Sequence, residues 1–156
     1  MTVIDLTDSI EEIISRYGGH LKSDDAVPEL RALWGGAECN DCGVFERAED
    51  IRVNLDAQKS WYGEVRLAVA PNGWHAIATS WWYGQGGGGS APSVWNRFAY
   101  TTRDEAIAAG INELIAKFEG IRDMEGWAPQ NQPALAGQMI TALKDYLSQA
   151  RQMTLF

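Results

Sequence analysis

Residues 51–100 read IRVNLDAQKSWYGEVRLAVAPNGWHAIATSWWYGQGGGGSAPSVWNRFAY, and this stretch decides the fold class. IRVNL alternates apolar and polar residues. WYGEVRLAVA then places Val65, Leu67 and Val69 on one face before Pro71-Asn72-Gly73 turns the chain. WHAIATSWWYG reads as the returning strand. QGGGGSAP is too poor in side chains to pack and reads as a mobile hairpin loop leading into a further strand, SVWNRFAYT. The expectation is an α+β fold, with a small antiparallel sheet of three or four strands packed with flanking helices.

Helical patterns lie on both sides of this stretch. On the amino-terminal side, Ile10, Ile13, Ile14 and Tyr17 share helical spacing, with Thr7 or Asp8 as cap and Gly18-Gly19 as stop. A second helix starts near Ser23 to Asp25, tolerates Pro28 in its first turn, and carries Leu30, Leu33 and Trp34. On the other side, Thr102 and Glu105 have the spacing of a capping box ahead of a helix over 103–118. Its stripe is Ala106, Ile107, Ile111, Leu114, Ile115 and Phe118, and Gly120 ends it. A final helix over 134–151 offers Leu135, Met139, Leu143, Tyr146 and Leu147. The organisation expected is one α+β domain over 1–151, made of a helical acidic part (1–50), an aromatic sheet and helix (51–119) and the last helix, followed by a tail at 152–156.

The formal charge of -8 is unevenly spread: residues 1–50 hold 12 acids against 4 bases, while residues 51–156 hold 9 of each. An acidic segment repels phosphate, which disfavours broad binding to duplex DNA and suits a basic partner instead. Asp24, Asp25, Glu46, Glu49 and Asp50 are the candidate acidic partner surface. Acids occupy the opening residues where a signal peptide would be basic and then apolar, and no apolar run has the length of a membrane span. A cytoplasmic protein without membrane attachment is expected.

The two cysteines, Cys39 and Cys42, exclude a disulfide scaffold. A zinc site would have to recruit His20 and His75, which lie outside any finger spacing, so the reading is two ordinary thiols with no metal and no cofactor. No spacing matches a nucleophile elbow or a metalloprotease helix, and the glycine run lacks the lysine and hydroxyl residue of a phosphate loop. Asp24 and Asp25 beside His20 read as helix caps. No catalytic set is assigned and a non-enzymatic role is expected.

Five of the seven tryptophans (Trp61, Trp74, Trp81, Trp82 and Trp95) fall in the sheet region with Tyr62, Tyr83, Phe98 and Tyr100. Adjacent residues of a strand point to opposite faces, so Trp81 and Trp82 cannot both enter one core. The run from Trp74 to Phe118, with WWYGQGG, RFAYTT and the helix RDEAIAAGINELIAKF, is similar to the WGR domain of poly-ADP-ribose polymerases and some bacterial nucleic-acid proteins. WYG stands where the signature tryptophan, glycine and arginine would, with Trp82 and Gly84 at matching positions. The resemblance implies contact with a DNA end or backbone. Trp82, Tyr83, Gly84, Trp95 and Arg97 are the candidate contacts for a nucleic acid or a protein. With no basic groove evident, single-stranded nucleic acid is expected to bind weakly at best.

The last five residues, Gln152, Met153, Thr154, Leu155 and Phe156, resemble the peptide by which bacterial polymerases and repair proteins bind the DNA polymerase sliding clamp. That motif is a glutamine, an aliphatic residue, a variable residue, then leucine and phenylalanine. Leu155 and Phe156 would enter an apolar pocket, Met153 an adjoining subsite, and the Gln152 amide would fix the register. The implied function is that of an accessory protein of bacterial, plasmid or phage DNA metabolism. The alternative is an acidic inhibitor of a nucleic-acid-processing complex, of the anti-restriction or anti-CRISPR type, whose first third covers a basic surface.

Overall fold

The computed structural model describes residues 3–18, 24–55, 60–124 and 132–154, and the fold is α+β. In chain order the elements are β1 (Val3–Asp5), α1 (Thr7–Arg16), a 3-10 turn (Asp24–Ala26), α2 (Val27–Leu33), β2 (Glu49–Asn54), β3 (Trp61–Val69), β4 (His75–Tyr83), β5 (Gly87–Gly89), β6 (Phe98–Tyr100), α3 (Arg103–Arg122) and α4 (Gln132–Thr154). The strands form one antiparallel sheet in the order β1-β6-β4-β3-β2, with β5 paired to β4. Six described strands exceed the three or four expected. The additions are β1 and β5, each of three residues, too short to display a two-residue period.

The chain forms two compact units. The first comprises Met1–Glu49, Arg66–Ala78 and Ala91–Ile107, and the second Asp50–Val65, Thr79–Ser90 and Ala108–Phe156. In the first unit the β3–β4 hairpin closes through Gly73, at a φ of 86°, whose N–H donates to the Ala70 carbonyl at 2.9 Å. Asn72 Oδ1 accepts the Trp74 N–H at 3.1 Å, so the short amide side chain completes the turn. The strands here present a floor of alanines, Ala68, Ala70, Ala76 and Ala99, all buried. Small side chains on the sheet leave room for large ones on the helices: Ile10, Ile13 and Ile14 of α1, Leu30 of α2, and Trp34 just after it complete the same core.

Trp34 is fully buried, meets Phe45 and Trp74 edge to face at 5.6 and 5.7 Å, and donates its indole N–H to the Val94 carbonyl at 3.1 Å. The entry to α1 departs from the expected cap. Leu6 occupies the cap position with no side-chain bond, and Asp5 Oδ1 accepts the Thr7 N–H at 2.9 Å instead. Hydrogen bonding from the Thr7 hydroxyl first, and from its backbone N–H second, holds the Asp5 carboxyl below its ordinary pKa. A depressed pKa stabilises the fold above the unfolded carboxylate value, and that contribution is lost as pH falls through the folded value. The Asp5 carboxyl carbon, followed by NMR, is therefore expected to titrate with a midpoint below roughly 3.9, and Thr7→Ala should leave the backbone share of the shift in place. A midpoint at or above the unfolded value would contradict this.

In the second unit, α3 lies on one face of β3 in a size-alternating register. Gly110 faces Val65, Leu114 faces Gly63, and Phe118 faces Trp61, whose ring centroid lies 6.1 Å from that of Phe118. Four helical residues advance about 6 Å and two strand residues about 6.6 Å, so the repeats stay in step. Thr102 Oγ1 accepts the Glu105 N–H at 3.3 Å, as the capping spacing predicts, and the expected stripe from Ala106 to Phe118 is buried throughout. Gly120 does not end α3. Ile121 beyond it is buried, and Gln132 Nε2 donates to the Ile121 carbonyl at 3.3 Å. The packing continues past the glycine and carries the helix to Arg122. α4 likewise runs beyond its expected limit, to Thr154.

Candidate functional site

The segment from Ser80 to Ser90 carries no charged residue and holds Trp82, an exposed aromatic among the described residues of the second unit. Thr79, Trp81 and Tyr83 face α3: Thr79 donates to Glu113 at 3.0 Å, Lys117 Nζ sits 4.4 Å above the Trp81 ring, and Tyr83 meets Trp61 at 6.2 Å. By strand alternation Trp82 points to the opposite face, where it is 39% exposed. Gly84, at a φ of 83°, turns the chain; the Tyr83 N–H donates to the Gly86 carbonyl at 2.9 Å, and β5 returns along β4. The glycine run is thus a paired strand where a mobile loop is expected from its composition.

The reason is steric. A Cβ on Gly88 would meet the Trp81 ring at 2.7 Å, one on Gly87 would meet the Trp82 ring at 2.7 Å and collide with the Trp81 carbonyl oxygen, and one on Gly89 would collide with Ser80 Oγ. Only glycine fits beneath these side chains.

The face that bears Trp82 also carries Arg52, Tyr62 and Glu64. The Arg52 guanidinium lies 4.1 Å above the Tyr62 ring and 2.8 Å from the Glu64 carboxylate, whose side chain is only 4% exposed. Burying a carboxylate demands such a charge-assisted partner. These three residues were not among the candidates read from sequence. The signal was present in the alternation of Tyr62 and Glu64 with Trp61, Gly63 and Val65, which separates a polar face from the α3 face.

The five predicted contacts are divided between the two units. Trp82, Tyr83 and Gly84 belong to the second unit, with Trp82 and Tyr83 on opposite faces of β4, and Trp95 and Arg97 belong to the first. Trp95 donates its indole N–H to the Cys42 carbonyl at 3.0 Å. Arg97 bonds to Glu11 at 2.6 Å. Both therefore brace the first unit.

The chain matches no protein-family model, no curated protein and no solved structure at a significant level.

Of the acidic set, Asp24, Asp25, Glu46, Glu49 and Asp50 are all exposed. Glu49 is paired with Arg103. Asp24 and Asp25 line a cleft of about 430 Å³ with Arg31, Cys39, Asn40 and Asp41. Burial pushes the Cys39 thiol up. The cysteine loop is organised by Asn40, whose Oδ1 accepts the N–H groups of Cys42 and Val44 at 3.0 Å each. His75 lies in β4 with Nδ1 3.3 Å from the Tyr100 carbonyl, and His20 lies outside the described residues. Among the described residues no group of three or more histidine, cysteine or acidic side chains is placed to hold a metal, and no helix is long and apolar enough to cross a membrane.

In α4, Ala136, Met139, Ile140 and Leu143 are buried, whereas no described side chain after Leu143 is. Tyr146 and Leu147, expected in the docking stripe, are half-buried, and Gln152 is exposed. The backbone is helical through Met153 and Thr154, and Leu155 and Phe156 lie outside the described residues.

Proposed function

We propose that this chain is a non-enzymatic accessory protein of bacterial, plasmid or phage DNA metabolism, recruited to the DNA polymerase sliding clamp by Gln152 to Phe156. The observation that carries the reading is the course of α4. Its fully buried side chains end at Leu143, and the motif follows on a stretch whose described side chains are half-buried or exposed. From Leu143 to Gln152 the helix rises about 14 Å. Helix ends fray readily, and residues without buried side chains lose little when a partner draws them out. Gln152 is already exposed, as a residue that reads a partner's rim must be.

The experiment compares the full chain, a chain lacking residues 152–156, and Leu155→Ala/Phe156→Ala for binding to a purified bacterial sliding clamp and for thermal unfolding. The expected result is loss of measurable clamp binding in both variants, each anchor contributing roughly 2 kcal/mol or more, with an almost unchanged unfolding midpoint. Absence of binding by the full chain, or a sharp fall in the midpoint of the double variant, would overturn the proposal.

A further inference from the structure

β5 is a strand made only of backbone, and its position exposes that backbone. The hydrogen bonds from the Tyr83 N–H to the Gly86 carbonyl at 2.9 Å and from the Ser90 N–H to the Thr79 carbonyl at 3.1 Å bracket the β4–β5 ladder. Between them the register pairs Trp82 with Gly87, Trp81 with Gly88 and Ser80 with Gly89. Antiparallel pairs alternate between bonded and non-bonded, so Gly88 directs its N–H and C=O toward β4, while Gly87 and Gly89 direct theirs away. All three glycines are exposed, and no described strand pairs their outer edge. Natural sheets blunt such edges with charged side chains, proline or bulges, and the segment from Ser80 to Ser90 contains no charged residue and no proline.

The two indoles add faces to this edge. The rings of Trp82 and Trp81 lie against Gly87 and Gly88 on opposite sides of the strand, occupying the space where side chains of β5 would stand. A strand laid beside β5 would therefore meet two outward N–H donors, two outward carbonyl acceptors, and an aromatic edge on each face.

We propose that the outer edge of β5 accepts an extended, uncharged peptide segment of a partner protein as an added strand, with Trp82 packing on one face of it and Trp81 on the other. The alternation of donor and acceptor along Gly87 and Gly89 is that of a peptide backbone, and strand addition takes its affinity from those bonds and its selectivity from alternate side chains. β-Branched or aromatic residues at the positions facing the indoles fit best, since such residues fill a pleated, half-buried surface. A nucleic acid is disfavoured because the segment itself holds no cation and the two beside it are engaged, Arg52 with Glu64 and Tyr62 and Lys117 over the Trp81 ring. A second copy is disfavoured because its own β5 would bring glycines, not side chains, to the positions facing the indoles.

The test uses the isotopically labelled full chain, titrated with the capped peptide acetyl-Thr-Val-Thr-Val-Thr-amide, with the same peptide N-methylated at every interior amide, and with a short oligothymidylate. The peptide is expected to shift the Gly87 and Gly89 amide resonances and to slow their hydrogen exchange by about tenfold at saturation, whereas the N-methylated peptide leaves them unmoved. Trp82→Ala should weaken peptide binding by about fivefold or more with the fold retained by circular dichroism, and Trp82→Tyr should restore most of it. Unmoved glycine amides at millimolar peptide, or equal shifts with the N-methylated peptide, would overturn the proposal. Shifts of the Trp82 indole by the oligothymidylate alone would assign the strip to nucleic acid instead. Glycine shifts that vanish on dilution of the protein itself would assign it to a second copy.

Discussion

Replacing Trp34 with alanine is expected to lower the free energy of unfolding by about 4 kcal/mol, within the range for truncating a fully buried tryptophan. Three losses coincide at this site. The indole leaves a cavity among residues of the first unit's core, where it is fully buried. Its edge-to-face contacts with Phe45 and Trp74 disappear, and such pairs contribute roughly 0.5 to 1.5 kcal/mol beyond area burial. The Val94 carbonyl also loses the donor that reaches it at 3.1 Å. Urea denaturation followed by circular dichroism measures the change. Trp34→Phe, which keeps a ring but no N–H donor, should fall between the two. A loss below roughly 1 kcal/mol for the alanine variant would mean that the cavity collapses or that the site packs differently.

The second large effect concerns Gly110. A glycine inside an exposed helix is normally improved by alanine, by roughly 1 kcal/mol, because alanine restricts the unfolded chain and favours helix. Here the sign should reverse, because a Cβ at position 110 would stand 2.6 Å from Val65 Cγ1 and 2.7 Å from its Cγ2. The sheet beneath is fully buried at Val65 and cannot yield, so Gly110→Ala should destabilise and Gly110→Val should cost about 3 kcal/mol by overpacking. Val65→Ala combined with Gly110→Ala should recover much of the loss, since the volume moves from strand to helix. Thermal and chemical unfolding of the parent, Val65→Ala, Gly110→Ala and the double alanine variant gives the coupling directly. If Gly110→Ala is more stable than the parent, the contact between α3 and β3 is looser than described.

Much of this fold is legible in the residues. The stripe from Ala106 to Phe118 announces α3 because six apolar residues repeat at helical spacing with a capping threonine before them. The β3–β4 hairpin is equally plain from its alternation and from Pro71-Asn72-Gly73. What escapes is whatever depends on a partner distant in sequence. β1 exists because β6, more than ninety residues on, offers it an edge, whereas β5 lies one turn from β4 and escapes because three glycines hold no period of their own. Gly120 reads as a stop only while Ile121 has nothing to pack on. Val69 fits the apolar alternation of β3 yet is 61% exposed, because the strand ends there.

The candidate site divides along the same line. Exposure of Trp82 follows from its adjacency to Trp81. The turning of Tyr83 to the α3 face and the bracing roles of Trp95 and Arg97 depend on Trp61, Cys42 and Glu11, none of which stands near them in sequence. The tail motif is legible as five residues, and the course of α4 before it is visible only in three dimensions.

The alanine floor of the first unit bears on the order in which the chain folds. Alanine is a poor strand former, and LAVA and HAIA hold four alanines where sheets usually place branched or aromatic residues. Such segments have little reason to stay extended by themselves; they become strands when α1 and α2 arrive to cover them. Those helices come from the first 34 residues, so their docking is a contact of long sequence separation, the kind that slows folding. The rest of β3, around Trp61 to Val65, carries stronger strand formers and lies against α3. The helices that precede these strands in the chain are thus what their alanine segments depend on to stay extended.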